Sequence, residues 1–353
     1  MDKNITILAI ETSCDETAMA ILKAKKRADS FEFETLSNVV ASQIDIHKKW
    51  GGVYPELASR AHLEAMIPVL EETLLPLGKN LKISPVSKHS QILNLIDCIA
   101  VTQEPGLIGS LLMGIETAQI LGAIFKKTVI KVNHLEGHVY ASFVHLNRKF
   151  SIPKTNIFPI LALVVSGGHT SLILMQDHLE YQTVAQTIDD AAGEAFDKVA
   201  RIIGLPYPGG PEIEKLAKKG NKNTYNLPIG LDRKKDFSFS GLKTAVLYLT
   251  KNPSTGRKKK YNRDDLAASF QKTVADTLIQ KTKIAIGKHN PKTLILAGGV
   301  SANSYIRNRF SREFPHSTSK AKHPTLLISP KLLSTDNAVG IAVAGAIKIL
   351  ANR

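Results

Sequence analysis

The sequence predicts an α/β protein of two lobes that share one design. Residues 8–22 and residues 161–174 each consist of an apolar run, a turn of small and hydroxyl-bearing residues, and a second apolar run. This is the pattern of a β-hairpin, and the two copies lie about one domain length apart. The chain of 353 residues is long enough for two domains. We therefore expect duplicated lobes that face one another across a cleft.

The elements of the first half follow from apolar runs and from the placing of small residues. Residues 96–102 predict a buried strand, and residues 106–125 predict a helix with small residues on one face. Such a face favours close approach of a neighbouring backbone. Residues 128–132 predict a strand that leads directly to Asn133 and His134.

The second half contains the same kinds of segment. Residues 189–203 predict a helix, and residues 207–211 predict a loop because two prolines enclose two glycines there. Residues 293–303 predict a strand, a Gly-rich turn and the start of a helix. Residues 336–350 predict a final helix. Its expected cap is one of three polar residues, Ser334, Thr335 or Asp336.

Composition limits the classes of function. Lys and Arg number 46 against 31 Asp and Glu, a formal net charge of +15, which favours a polyanionic partner such as RNA or an anionic membrane. No uninterrupted apolar run approaches the roughly 18 to 20 residues that cross a bilayer, and the first residues do not resemble a signal peptide. Only two cysteines occur, so a disulfide framework is excluded and a reducing cytosol is expected. Any metal would rely on imidazole and carboxylate ligands.

The segment His134-Leu-Glu-Gly-His138 is the sharpest local feature. On a helix, residues four apart share a face, so both imidazoles can reach one cation. The order of residues differs from the zinc-protease motif, in which Glu directly follows the first His. Asp336 is a candidate third ligand, although a carboxylate at the start of a helix is also a common cap. Taken alone, two histidines at this spacing are more often ordinary helix residues than metal ligands.

Two Gly-rich turns, at residues 166–169 and 298–303, allow backbone N–H groups to approach an anion. Neither fits the P-loop pattern. An acidic cluster that includes Glu11 and Asp15 follows the first strand, where general bases are often found.

Two further segments have two interpretations each. Residues 237–243 alternate apolar and hydroxyl-bearing side chains, which fits a packed edge strand or part of an RNA or nucleotide surface. Residues 251–263 form a basic loop that contains Arg257-Lys-Lys-Lys260. A solvated charge run explains this loop as well as an RNA contact does.

Nine segments together resemble the TsaD family, also called the Gcp family, of tRNA N6-adenosine threonylcarbamoyltransferases. They follow the family order and span nearly the whole chain. They are residues 11–17, 51–60, 133–138, 165–170, 188–198, 207–211, 237–244, 297–303 and 335–337.

The resemblance implies the two-lobed actin- and hexokinase-like (ASKHA) α/β fold. The expected boundaries are residues 1–155 for the N-terminal lobe, completed by a C-terminal helix at 336–353, and residues 156–335 for the C-terminal lobe. The implied reaction transfers the threonylcarbamoyl group from threonylcarbamoyl-adenylate to N6 of adenosine 37, in tRNAs that read codons starting with A, and releases AMP.

The resemblance also assigns site residues. It implies one divalent metal, Fe²⁺ favoured over Zn²⁺, on His134, His138 and Asp336, and proton handling by Glu11 or Asp15. The positions implied to bind the adenylate are Val164, Val165, Ser166, Gly167, Gly168, Asp197, Gly210, Glu214 and Asn303. The family commonly has Asp at the position of Glu214. Two other departures are Glu104, where Gly is usual, and Ser334, where Cys is frequent.

The form of residues 188–198 resembles the bacterial or organellar branch of the family, which works with two smaller partners, TsaB and TsaE. The implied partners are therefore tRNA and TsaB-like and TsaE-like proteins, with no membrane contact and a cytoplasmic location. The alternatives are a small-molecule kinase of the same fold, a non-catalytic TsaB-like scaffold, and a metalloprotease. The residue order at His134 to His138 disfavours the protease, and the retained histidines disfavour the scaffold.

Overall fold

A computed structural model describes residues 4–78, 88–144, 148–230, 235–315 and 324–351. The chain divides into two compact units, one of residues 1–156 and 335–353 and the other of residues 157–334. Each unit contains one β-sheet with helices packed on it.

The first unit holds a six-stranded sheet of spatial order β5-β4-β1-β2-β3-β6. Its strands are β1 (Asn4–Glu11), β2 (Glu16–Lys26), β3 (Ser30–Ser42), β4 (Cys98–Glu104), β5 (Thr128–Asn133) and β6 (Lys149–Pro153). Its helices are α1 (Ile44–Lys48), α2 (Pro55–Gly78), α3 (Lys88–Asn94), α4 (Ile108–Phe125), α5 (His134–Ala141) and α11 (Ala338–Ala351).

The second unit holds a five-stranded sheet of order β11-β10-β7-β8-β9. Its strands are β7 (Ile160–Val165), β8 (Thr170–Asp177), β9 (Glu180–Gln186), β10 (Thr293–Ala297) and β11 (Thr325–Ile328). Its helices are α6 (Ala192–Ile202), α7 (Gly209–Ala217), α8 (Ser240–Thr250), α9 (Arg263–His289) and α10 (Ser304–Glu313), and two short 3-10 helices lie at Gly299–Ala302 and Lys331–Leu333.

The two sheets repeat one arrangement of five strands. In each, the first three strands form an antiparallel meander, and the fourth and fifth strands run parallel to the first. The first strand is central and nearly continuous in apolar residues because both of its faces are covered. The duplicated hairpins are therefore confirmed as β1–β2 and β7–β8, and so is the predicted two-lobed α/β fold class.

Helix boundaries differ from the predictions where a side chain from elsewhere supplies the cap. The helix predicted at 189–203 begins only at Ala192, because Asp189 is used to cap a different helix. Its carboxylate accepts hydrogen bonds from the backbone N–H groups of Phe239 (2.8 Å) and Ser240 (3.3 Å) at the start of α8. Residues 237–243 thus contain a single β-bridge at Phe237 and then helix, so the edge-strand interpretation is wrong.

Two further boundaries were predicted less accurately. The loop expected at residues 207–211 is shorter, because α7 already begins at Gly209. The final helix begins at Ala338, and its cap is Asn337, whose side-chain oxygen accepts a hydrogen bond from the N–H of Gly340 at 3.3 Å. The cap expected among residues 334–336 is wrong, and Asp336 is left for another role.

Helix α4 is the one helix in the described part of the chain that is long and apolar enough to cross a membrane, by length and composition alone. One third of it is buried, and it packs against β4 and α2. Its buried side thus belongs to the core of the first unit.

Helices α5 and α11 approach one another backbone to backbone. A Cβ atom added to Gly340 of α11 would overlap the carbonyl oxygen of Gly137 in α5. The facing residue, Gly137, likewise lies against Ile341. Glycine at both positions therefore sets the separation of the two helices.

This contact predicts a large cost for Gly340→Ala, because a methyl group there must push α11 away from α5. We expect the free energy of unfolding to fall by about 2 kcal/mol or more, measured by chemical denaturation. The control is Gly287→Ala in α9, where an added Cβ meets no atom within 4 Å. That change should leave stability unchanged or raise it by up to about 1 kcal/mol. Equal effects of the two substitutions would contradict the close packing.

Candidate functional site

The short helix α5 is held by its own cap, although Gly137 lies in its interior. Asn133, the last residue of β5, accepts a hydrogen bond from the N–H of Leu135 at 2.9 Å, and Glu136 accepts one from the N–H of Asn133 at 3.4 Å. This reciprocal capping satisfies donors that a helix end leaves free. Lys348 of α11 also pairs with Glu136 at 2.9 Å. The cap and this ion pair hold α5 in place.

The structure brings His134, His138 and Asp336 together. The two imidazoles project from successive turns of α5, with ring centroids 4.6 Å apart. Oδ1 of Asp336 lies 3.5 Å from Nε2 of His134 and 3.3 Å from Nε2 of His138. The side chains are only 6%, 3% and 14% exposed, and one ligand atom from each lies within 4.8 Å of the others. The three groups can therefore reach a single ion.

The chemistry of these donors fits a divalent metal. Two imidazole nitrogens and a carboxylate oxygen are ligands of Zn²⁺ and of Fe²⁺. In addition, Nε2 of His138 is buried and makes no hydrogen bond within the described part of the chain, although Oδ1 of Asp336 lies 3.3 Å away. A buried polar atom in that state is costly, and a metal ion would use its lone pair.

Glu11 orients the first of these histidines. Its carboxylate, fully buried at the end of β1, lies 2.9 Å from Nδ1 of His134. It also accepts hydrogen bonds from the N–H of Ser13 and the hydroxyl of Thr102, both at 2.6 Å. An imidazole that donates Nδ1–H to a carboxylate presents Nε2 to a metal. Glu11 therefore fixes the ring of His134 so that Nε2 faces Asp336.

Burial and charge oppose one another at this pair. Burial raises the pKa of Glu11, but the positive charge of His134 and its hydrogen bond outweigh burial, so the pKa is lowered. Burial lowers the pKa of His134, while the charges of Glu11 and Asp336 raise it more, to about 9. Each group thus favours the charged form of the other.

The turn between β1 and β2 lies beside the same site. Ser13 donates a hydrogen bond to Asp336 at 3.4 Å and its hydroxyl lies 3.1 Å from Nδ1 of His134. Asp15 is half-buried, and burial, with the charges of Asp336 and Asp15, raises the pKa of Glu16 well above its usual value. The turn thus brings further carboxyl groups to the site.

His62 of α2 contacts this turn and the start of β2. It is fully buried, with Nδ1 2.8 Å from the hydroxyl of Thr17 and Nε2 3.0 Å from the carbonyl oxygen of Cys14. The sequence does not reveal this role, because His62 lies in a helix 45 residues after Thr17. The two meet only in the folded chain, and closing a loop of that length has a modest entropic cost.

In the second unit, both Gly-rich turns lie at one edge of the sheet. Strands β7 and β10 are parallel neighbours with Val164 opposite Ala297, so the turns that follow them emerge together. Gly298 has a φ of +86°, and a Cβ there would overlap the backbone of Val165. Beside Gly167 and Gly168, by contrast, no atom lies within 4 Å of an added Cβ. Their backbone is open to a ligand.

The remaining residues expected to bind the adenylate are linked by hydrogen bonds around this edge. Asp197 accepts a hydrogen bond from the N–H of Gly209 at 2.7 Å, which fixes the start of α7 beside Gly210. Glu214 of α7 accepts one from the N–H of Ser304 at 3.1 Å. Asn303 caps α10. The side chains of Val164 and Val165 are buried in the core, so only their backbones can meet a ligand.

Fold and site together define the class of this protein. It is a two-lobed ASKHA-type α/β protein with a candidate metal centre of two histidines and one carboxylate in its first unit. The chain belongs to the TsaD family, tRNA N6-adenosine threonylcarbamoyltransferase, whose model matches residues 34–343.

Curated relatives agree with this assignment, and one solved structure shares the fold. A tRNA N6-adenosine threonylcarbamoyltransferase of Dictyoglomus turgidum is 46% identical over 339 residues, 96% of this chain and 92% of the relative. The Bacillus subtilis protein of the same name is 46% identical over 348 residues, 98% of this chain and 91% of the relative. The structure of T. kodakarensis HypF aligns with a TM-score of 0.60 at 11% identity, covering 98% of this chain and 48% of that chain. The likeness to HypF shows the fold alone. The two threonylcarbamoyltransferases named above are both bacterial.

The contact between Glu11 and His134 makes Glu11→Gln a test of metal positioning. A neutral side-chain amide can donate to Nδ1 and so favour the tautomer with its proton on Nε2, where the metal would bind. We expect Zn²⁺ affinity, measured by competition with a chelator, to fall by roughly ten- to a hundredfold.

The matched control for this prediction is Glu64→Gln, which neutralises an exposed carboxylate on α2. Its Zn²⁺ affinity should equal that of the unchanged protein. A folded Glu11→Gln protein that binds Zn²⁺ as tightly as this control would rule out the orienting role.

Proposed function

We propose that this chain transfers the threonylcarbamoyl group of threonylcarbamoyl-adenylate to N6 of adenosine 37 in tRNAs that read codons starting with A. The N6 nitrogen forms a bond to the carbamoyl carbon, the bond from that carbon to the phosphate oxygen breaks, and AMP leaves. One proton is lost from N6. The observation that carries this proposal is the convergence of His134, His138 and Asp336 in a chain of this family.

The adenylate would bind at the open edge of the second unit. A Cβ added to Gly167 or Gly168 would meet no atom of the described residues within 4 Å, so there is space beside this turn, and backbone donors in such turns suit phosphate. Asp197, Gly210, Glu214 and Asn303 are the other proposed contacts, joined by the hydrogen bonds described above. Glu214 already accepts from Ser304, which leaves its second carboxylate oxygen for a ligand.

The first unit would hold one divalent metal on His134, His138 and Asp336. Both Fe²⁺ and Zn²⁺ accept this donor set. Fe²⁺ is favoured because the family resemblance implies it, and Zn²⁺ is the alternative. When bound, the metal supplies Lewis-acid stabilisation of negative charge that develops on the substrate. The protein's contribution is the orientation of the ligands, through Glu11 on His134 and through Ser13 on Asp336.

Asp15 is the better placed of the two predicted carboxylates to accept the N6 proton. Its side chain is half-buried, whereas Glu11 is fully buried and both of its oxygens accept hydrogen bonds. A general base must come within hydrogen-bond reach of the proton that it removes. We therefore assign Glu11 to positioning and Asp15 to proton transfer.

The assay of this activity uses purified protein, its TsaB-like and TsaE-like partners, labelled threonylcarbamoyl-adenylate and tRNA with adenosine at position 37. We expect label in the tRNA, and none in the same tRNA carrying guanosine there. Asp336→Asn should lower the rate by roughly a hundredfold or more, since a ligand and a charge are both lost.

Asp45→Asn is the control for Asp336→Asn, because Asp45 is an exposed carboxylate in the same unit. It should keep the full rate. Full activity of the Asp336→Asn protein, or labelling that does not depend on adenosine 37, would refute the proposed function.

A protein partner is supported by an apolar surface on the first unit. Helices α2 and α4 pack side by side, close enough for a Cβ at Gly109 to overlap the hydroxyl of Ser59. Both helices also leave large apolar side chains exposed. These side chains are Leu63, Ile67, Ile108, Leu112, Ile120 and Ile124. Such an apolar surface is typical of a protein–protein interface, and we assign it to the TsaB-like partner.

This assignment predicts that Ile67→Glu prevents assembly with the TsaB-like partner, because a charge would be buried at the interface. Light scattering coupled to gel filtration measures the complex. Leu332→Glu, a change at an apolar residue of the second unit that is also exposed, should leave assembly intact. An intact complex in Ile67→Glu would place the partner elsewhere.

A further inference from the structure

The basic segment at residues 251–260 is an ordered hairpin. Lys251 and Lys258 form a β-bridge, and the N–H of Asn252 donates to the carbonyl oxygen of Arg257 at 2.8 Å. Gly256 turns the chain with a φ of +68°. The side-chain oxygen of Asn252 also accepts from two backbone N–H groups within the turn. The backbone is therefore fixed before any ligand arrives, which lowers the entropic cost of binding.

The hairpin presents a cluster of positive charge, and the next acidic residues, Asp264 and Asp265, follow at the start of α9. Its five cationic side chains are Lys251, Arg257, Lys258, Lys259 and Lys260, all exposed. No acidic residue occurs between positions 251 and 263. Lys259 donates to the carbonyl oxygen of Tyr248 at 2.9 Å. Among the described residues, no ion pair involves Arg257, Lys258 or Lys260.

A second basic segment lies against the end of this hairpin. The N–H of Asn262 donates to the hydroxyl of Tyr225 at 2.9 Å, and Asp265 accepts from the N–H of Asn221 at 2.7 Å. These contacts hold residues 218–225 beside the start of α9. That segment carries Lys218, Lys219 and Lys222. The two segments together form one surface of the second unit, here called the basic surface.

The basic surface fits a chain of phosphates better than a bilayer. Insertion into a membrane interface requires an apolar face beside the cations, and residues 251–263 include no exposed large apolar side chain. An exposed aromatic residue, Tyr248 (50% exposed), lies near the end of α8, three residues before Lys251. Cations with a nearby aromatic ring are the usual elements of RNA contact.

We propose that the basic surface binds the phosphate backbone of the tRNA substrate. This inference rests on the proposed function, which supplies tRNA as the substrate, and it assigns the tRNA contact to named residues. Arg257, Lys258 and Lys260 bind phosphates from the hairpin, and Lys219 and Lys222 extend the contact. The contact positions the tRNA and carries no base specificity.

Counterion release gives this contact a measurable signature. Each phosphate that a cation neutralises steepens the dependence of log K on log salt by roughly 0.7 to 0.9. Three contacts from the hairpin thus account for a slope of roughly 2 to 3. Neutralising residues that do not touch tRNA leaves the slope nearly unchanged.

The test compares two triple variants by fluorescence anisotropy with labelled tRNA across a KCl series. One carries Arg257→Gln, Lys258→Gln and Lys260→Gln, and keeps Lys259 for its bond to Tyr248. The other carries Lys49→Gln, Lys288→Gln and Lys292→Gln, which remove the same charge from exposed positions elsewhere. We expect the hairpin variant to bind tRNA at least about tenfold more weakly and to lose roughly 2 to 3 units of slope. The control variant should retain the tRNA affinity and the salt slope of the unchanged protein.

Activity separates binding from chemistry in the same proteins. The hairpin variant should show a raised KM for tRNA and an unchanged kcat at saturating tRNA, because no hairpin residue belongs to the proposed catalytic site. If the unchanged protein neither binds nor modifies tRNA, the proposed function fails. If it does both and the hairpin variant equals the control, the inference alone is overturned. Stronger loss of binding to anionic vesicles than to tRNA would also overturn it.

Discussion

Helices α5 and α11 approach one another closely at Gly137 and Gly340, and the candidate metal centre depends on this contact. Gly340 lies against the carbonyl oxygen of Gly137, one residue before His138. Asp336 precedes α11 by two residues, so the same contact that buries α11 against the sheet brings its carboxylate to both imidazoles. A tightly packed interior does not absorb an added methyl group without displacement. The separation of the two helices therefore determines whether three ligands or two can reach one ion.

Electrostatics around this contact favour a bound cation. Glu11 and Asp336 both lie beside His134, and Glu16 and Asp15 follow in the adjoining turn. Burial of unbalanced carboxylates is costly unless cations or hydrogen bonds compensate. Glu16 avoids that cost by its raised pKa, whereas Glu11 relies on Ser13, Thr102 and His134. A divalent ion would complete the compensation, and its binding would displace the proton of His134. Structure and charge thus support the same ligand set.

The sequence predicted the repeated hairpins, because alternation of apolar runs with small polar turns is a local signal. It also indicated that His134 and His138 share a helix face, since that depends on spacing alone. Asp336 was a candidate ligand from its place at the start of a helix, but only the resemblance joined it to the two histidines, because nothing local relates residue 336 to residue 134. The predicted start of α6 was wrong because Asp189 caps α8, 50 residues further along the chain. The predicted cap of α11 was also wrong, because Asn337 caps that helix. The positioning contacts of Thr102 and His62 likewise arise only from tertiary packing.

X-ray absorption of the iron-loaded protein tests the metal centre most directly. One Fe²⁺ per chain, with a scattering contribution from two imidazoles, is the predicted result, and His138→Ala should remove one of them while the protein stays folded. Zn²⁺ in place of Fe²⁺ should give the same ligand count, with nitrogen at about 2.0–2.1 Å. Failure to load a stoichiometric metal, or two imidazoles persisting in the His138→Ala protein, would contradict the account.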